Sequence, residues 1–306
     1  MILKGQNFRV LIYDATLRKY KCIAMATSNT INLNANTEDA STKDDVGIAG
    51  KPTVVSKNWQ VSVESLDVMD AAAILDAIKS CTPFTLLWDE VSTTDNQTAL
   101  TASISRQGQA YLSDVTFTFN DRENSSKSLQ FIGTGELTSM LGTMIQQDII
   151  LPLASGYTKG QFVRLFLGGL NGQFASEVIA AAKQLSFHVS MSFENATTKD
   201  TNGDWQIQDP VSINYDISTT ALIRGGDDIT STVGGKSISD LQYIYENSAP
   251  VKFQIANVEG ANQRTKAEVI VSGSVVITSL TLNGPNRKNA DYSAALNGYG
   301  IYSVGS

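Results

Sequence analysis

The chain of 306 residues repeats itself, and the repeat restricts its possible folds more than any other feature. Glu38-Asp39-Ala40-Ser41-Thr42-Lys43-Asp44 recurs as Glu194-Asn195-Ala196-Thr197-Thr198-Lys199-Asp200, with five of the seven residues identical. The same offset of 156 (38 to 194) pairs Ser56, Asn58, Trp59, Val61 and Leu66 with Ser212, Asn214, Tyr215, Ile217 and Leu222. Upstream, Lys4-Gly5-Gln6 before Phe8–Ile12 matches Lys159-Gly160-Gln161 before Phe162–Leu167. Near the end of each half the offset is 165 (122 to 287), where Arg122, Asn124, Ser128, Gly133 and Gly135 match Arg287, Asn289, Ser293, Gly298 and Gly300. Four blocks in the same order point to a tandem duplication.

Alternation of side chains supports the alignment. Ile31, Leu33 and Ala35 alternate with polar neighbours, as do their partners Phe187, Val189 and Met191, and Val115 and Phe117 keep phase with Leu280 and Leu282. A period of two marks strands with one buried face, and a slip of one residue would turn every side chain over. Each unit therefore predicts an opening strand (about 6–13 and 161–167), a second strand, and a third near 29–36 or 185–193. A long polar loop follows (37–55 and 194–211), then a strand centred on Trp59 or Tyr215. A short helix comes next. Asp67 caps the first, with Met69, Ala72, Ala73 and Ile78 on its apolar side; Ser237 or Ser239 caps the second, Leu241–Tyr245. Pro83 and Pro250 end them, because the residue before proline disfavours helical geometry. Strands Phe84–Trp88 and Val251–Ile255 and two more close each unit. The expected division is 1–137, a packed linker 138–158 carrying Leu141, Met144, Ile149, Ile150 and Leu151, and 159–306. Each unit is large enough for its own core.

The chemistry-bearing residues are sparse. His188 is the one histidine, on the polar face of a strand, where a surface role fits better than a general base. Cys22 and Cys81 stand 59 positions apart (22 to 81) and read as reduced, half-buried thiols made in a cytosol. Asp200–Asp204 begins like a calcium loop, but Trp205 stands where glycine is needed and Val211 where glutamate is, so a solvated turn is expected. The carboxylates show no obvious pairing. No cofactor, metal site or catalytic residue is expected, and the chain reads as no enzyme. A net charge of −7 argues against tight binding to phosphate backbones, though not against a channel through which nucleic acid slides. The Met-Ile-Leu-Lys-Gly start reads as no signal peptide, and no window is apolar enough to span a membrane.

Taken in order, the opening strand, Ala26–Leu33, the loop Glu38…Asp44, the helix and Phe131-Ile132-Gly133-Thr134-Gly135-Glu136-Leu137 resemble the bacteriophage major tail tube family. The resemblance implies a mainly β fold: two tandem β-sandwich or split-barrel domains, each with one flanking helix. It further implies a structural virion protein, made in the host cytoplasm, whose two units let a homotrimer form a pseudo-sixfold ring. Rings would stack into a tube, with other tail proteins as further partners, no membrane, and DNA passing through the channel. The loops are implied to reach the neighbouring ring through Glu38, Asp39, Ser41, Thr42, Lys43 and Asp44, and Glu194, Asn195, Thr197, Thr198, Lys199 and Asp200. The tube of a related contractile injection system, or a β-sandwich adhesin or carbohydrate-binding module, are the alternatives.

Overall fold

The computed structural model describes residues 5–23, 25–42, 44, 50–66, 71–90, 105–140, 158–170, 172, 175, 177–179, 181–201, 203–223, 236–258 and 266–305. The fold is mainly β, with two short helices among the described residues. The first series of elements is β1 (Phe8–Asp14), β2 (Lys19–Cys22), β3 (Ala26–Asp39), β4 (Pro52–Ser65), α1 (Ala71–Lys79), β5 (Phe84–Glu90), β6 (Arg106–Asn120) and β7 (Ser126–Ser139). The second is β8 (Val163–Leu167), β9 (Glu177–Val178), β10 (Ala182–Asn195), β11 (Gln208–Leu222), α2 (Ile238–Asn247), β12 (Val251–Val258), β13 (Lys266–Asn283), β14 (Asp291–Gly298) and a short β15 (Ser303–Val304).

Antiparallel pairings recur from one series to the next. β1 pairs with β2 and β5, β5 with β6, β6 with β7, β7 with β4, and β4 with β3. In the same sequence β8 pairs with β9 and β12, β12 with β13, β13 with β14, β14 with β11, and β11 with β10. Registers recur as well. Val61 lies opposite Ile31 and Phe131, and Ile217 lies opposite Phe187 and Leu296. Even the irregularities correspond: a bulge between Leu112 and Asp114 in β6 has its counterpart between Ile277 and Ser279 in β13. Both turns after these strands put an arginine at positive φ, Arg122 at 62° and Arg287 at 61°.

The strands join into one 15-stranded sheet that is open. Its buried side chains form a main core that runs through both series and includes Trp59, Phe117, Phe131, Phe187, Tyr215 and Phe253. In each series a large ring fills a gap left by glycine. A Cβ on Gly133 would stand 2.1 Å from the Trp59 indole, and one on Gly298 would stand 2.6 Å from the Tyr215 ring. Trp59 Nε1 donates to Gly135 O at 3.1 Å, and the Tyr215 hydroxyl donates to Ser274 O at 2.6 Å, so each buried ring has its polar edge satisfied. Burial raises the pKa of the Tyr292 hydroxyl to about 12, keeping it neutral inside the sheet.

The helices follow their caps. Ser237 accepts from Asp240 N while the Asp240 carboxylate accepts from Ser237 N, a capping box worth about 1 kcal/mol. Of the two expected candidates, Ser237 is the cap. Cys81 and Ser248 adopt left-handed geometry (φ 51° and 50°) just past the helix ends. The expected cap Asp67, and Met69, lie outside the described residues, as does the linker apart from 138–140 and 158. Cys22 and Cys81 are free thiols; Cys22 is buried where half-burial was expected.

One expectation is corrected by length. β3 runs on to Asp39 and β4 begins at Pro52, so the connection is 40–51 rather than 37–55; likewise 196–207 replaces 194–211. Thr37, Glu38 and Asp39 still pair with Val54, Thr53 and Pro52, forming a hairpin arm exposed on both faces. Polar residues there have no buried face to alternate with, so the arm reads as loop in sequence.

Candidate functional site

The two series meet where β10 pairs with β6. β5 occupies one edge of β6 only from Arg106 to Ala110; beyond the bulge the same edge takes β10, with Val115 opposite Val189, Thr116 opposite His188 and Phe117 opposite Phe187. One face of this seam is apolar and buried: Val115, Phe117, Phe119, Leu185, Phe187 and Val189. The other carries Asp114, Thr116, Thr118, Ser186, His188 and Ser190, and continues as a polar face across β3, β4, β7, β6, β10, β11, β14 and β13.

Loops reinforce the seam. Lys57 N donates to Asp204 O at 2.6 Å, Gln206 N to Lys57 O at 2.9 Å and Gly135 N to Gln206 O at 2.9 Å, so residues 204–206 lie along β4 and β7 of the first series. The Lys57 ammonium is 3.0 Å from the Asp204 carboxylate and 5.9 Å from the centre of the Trp205 ring. At the other end Gly160 rests on the backbone of Asn120, where a Cβ would stand 2.3 Å from the carbonyl oxygen.

Among the described residues, each half of this joint has a counterpart without a partner strand. β3, equivalent to β10, pairs among the described residues with β4 alone. β13, equivalent to β6, has its β12 edge occupied from Lys266 to Val275, which leaves 276–283 beyond it. Exposure follows. Val189 is fully buried and Phe117 is 1% exposed, but Leu33 and Leu282 at the equivalent places are 58% and 49% exposed. Tyr299 and Ile301, beside the counterpart of Gly135, are 60% and 78% exposed. Gly5, the counterpart of Gly160, has no neighbour within 4 Å of its would-be Cβ.

The residues expected to contact a neighbouring ring sit at the tips of the two arms. Glu38 and Asp39 end β3, and Glu194 and Asn195 end β10; Ser41, Thr42, Asp44, Thr197, Thr198, Lys199 and Asp200 are exposed in the connections, and Lys43 lies outside the described residues. Part of their recurrence has a local cause. Asp39 Oδ1 accepts from Ser41 N at 2.9 Å and Asn195 Oδ1 from Thr197 N at 3.0 Å. Ser41 Oγ accepts from Lys51 N at 3.0 Å and Thr197 Oγ1 from Ile207 N at 2.9 Å. The matching residues thus build matching turns at the base of each connection. The Ser41 hydroxyl and the backbone N–H groups hold the Asp39 carboxyl below its ordinary range.

Sequence reasoning placed His188 on a polar face with unpaired carboxylates. It is in fact held between two of them, Nε2 at 2.7 Å from Asp114 Oδ2 and Nδ1 at 2.7 Å from Asp216 Oδ1. The carboxylates approach opposite sides of the ring and do not converge on one point; among the described residues no group of three or more acidic, histidine or cysteine side chains is placed to hold a metal. Among the described residues no helix is long and apolar enough to cross a membrane.

Solved structures match about half of the chain. One from the tail of an empty gene transfer agent particle matches with 19% identity over 48% of this chain and 98% of its own, at a TM-score of 0.38. The SPP1 tail tube matches with 18% identity over 47% of this chain and 78% of its own, at 0.36. One from the virion of a native gene transfer agent particle matches with 19% identity over 48% and 98%, at 0.34. Two of the three are tail structures. No family model matches, and no curated protein does.

Proposed function

We propose that the chain is a structural subunit of a phage-type tail tube, a non-enzymatic virion protein that forms rings by edge-to-edge strand pairing and stacks them around a channel for DNA. The chain is then a tandem duplication, with units 1–137 and 159–306 and a linker 138–158. The observation that carries this is the pair of incomplete edges. The chain contains one finished seam, β6 with β10, and the two halves of a second at opposite ends of its sheet. β13 of one copy and β3 of the next complete it in the register of the first: Leu280 opposite Leu33, Thr281 opposite Asn32 and Leu282 opposite Ile31. A donor edge that differs from its acceptor edge makes a head-to-tail contact, which gives a closed ring when the rotation closes. Three copies supply six quasi-equivalent units.

The sidedness of the sheet supports a channel. A sheet with one face buried and a wide polar face dominated by Ser, Thr, Asn and Gln can enclose a wet lumen, as wide barrels do. Net charge of −7 disfavours adhesion of phosphate to such a wall. Manufacture in the host cytoplasm, and contacts with other tail proteins at the ends of the tube, belong to the same proposal.

Electron microscopy of concentrated protein, together with cross-linking, tests it. In a Cys81→Ser background, Leu33→Cys with Leu280→Cys is expected to give covalent trimers and hollow rings or tubes under mild oxidation. Monomers at high concentration, or cross-links confined to single chains, would exclude the ring. The arm tips are proposed to bridge stacked rings. Replacing Thr198, Lys199 and Asp200 together by alanine leaves the turn at Asn195 and Thr197 intact, so single rings without long tubes are expected by microscopy.

A further inference from the structure

We infer that Asp114, His188 and Asp216 form a proton-dependent staple across the seam between the two halves of the chain. The three residues come from three adjacent strands, β6, β10 and β11, and only the first belongs to the first half. Both ring nitrogens lie 2.7 Å from a carboxylate oxygen. A neutral imidazole carries one N–H, so it can donate to one carboxylate while its other nitrogen turns a lone pair toward the second. With both carboxylates ionised, the double bridge forms only with the imidazolium. Protonated, the trio carries one net negative charge; deprotonated it carries two, with one hydrogen bond replaced by a repulsive contact.

The surroundings isolate the effect. Among the described residues, the charged groups facing the imidazole are Asp114 from β6 and Asp216 from β11; its neighbours on the same face of β10 are Ser186 and Ser190, and Thr116 stands opposite on β6. His188 and Asp114 are each about one-third exposed, so a proton can leave directly to water. Burial by itself lowers the His188 pKa, but hydrogen bonds to Asp114 and Asp216 and their charges outweigh it, and the net movement is upward from 6.5. A group whose pKa is raised by folding adds stability that is complete below the unfolded value and is lost as pH rises through the folded one. At the equivalent places on the open edges stand Ser279, Asn32 and Gln60, none of which titrates. A ring of copies would have two kinds of seam, pH-sensitive within chains and pH-insensitive between them. The staple itself does not depend on ring formation.

His188 is the only histidine, so its ring resonances are unambiguous by NMR. In the wild-type chain it is expected to titrate above 6.5, with both N–H protons visible at low pH. Asp114→Asn and Asp216→Asn are each expected to lower that midpoint. Thermal unfolding followed from pH 5 to 9 should show the wild type losing stability relative to His188→Asn as pH rises. The relative unfolding constant changes about tenfold per pH unit of elevation. A midpoint at or below 6.5, or parallel pH profiles for wild type and His188→Asn, would overturn the staple; a midpoint unmoved in both aspartate variants would reduce it to coincidental proximity.

Discussion

Leu282→Asp is expected to leave the monomer folded and to stop ring formation. In the single chain Leu282 is about half exposed, so a carboxylate there stays hydrated and costs the monomer little. In the proposed joint the same position takes the place of Phe117, which is buried against Phe187 in the finished seam. Leaving an unpaired charge in such a place costs about 3–5 kcal/mol, which weakens each contact by roughly a hundredfold or more. A closed ring breaks when any one contact opens, so the loss compounds. Sedimentation velocity should then show a monomer with wild-type circular dichroism. Rings formed by Leu282→Asp as readily as by wild type would mean that β13 and β3 do not meet.

The largest effect on folding is expected at Gly133. Its Cβ position lies inside the Trp59 indole, so Gly133→Ala must expel the ring or displace β7 from β4. Expelling the ring opens a cavity in the main core beside Gly108 and breaks the hydrogen bond to Gly135. The loss is comparable with truncating a buried Trp, about 3–5 kcal/mol. Gly298→Ala, against Tyr215, is expected to act in the same direction and less severely, because its contact is 2.6 Å rather than 2.1 Å. Denaturant unfolding with unchanged slope would measure both. A midpoint for Gly133→Ala within error of wild type would mean that the indole has room to move.

Much of this was legible in the sequence where information is local or repeated. Period-two alternation gave both strands, and around Phe187 it gave the buried face as well, whereas Leu33 and Ala35 beside Ile31 are exposed. The prolines at 83 and 250 marked the helix ends, and the match of Trp59 with Tyr215 located the aromatic centre of each half. The ends of the first arm, residues 37–39 and 52–55, were misread as loop because Glu38, Asp39 and Pro52 have low strand propensity and the paired segment has no buried face. Cross-strand bonds such as Asn36 Nδ2 to Ser56 Oγ at 2.8 Å hold the arm instead. The staple was invisible for a different reason. Asp114 and His188 are 74 positions apart and share no motif, and only the pairing of β6 with β10 brings them together. The aligned pairs Val189 with Leu33 and Phe117 with Leu282 were in hand, yet nothing in one dimension says that one member of each pair is covered and the other bare.

The bulge in β6 decides which face of the sheet is polar. Before it the inward side chains are even-numbered, Gly108, Ala110 and Leu112; after it they are odd, Val115, Phe117 and Phe119. A single surplus residue thus swaps the parity of a strand in mid-course, and β13 does the same between Ile277 and Leu280. Taking out Ser113 would turn Asp114, Thr116 and Thr118 toward oil and three large apolar groups toward water. The sidedness of the entire surface hangs on an insertion one residue long.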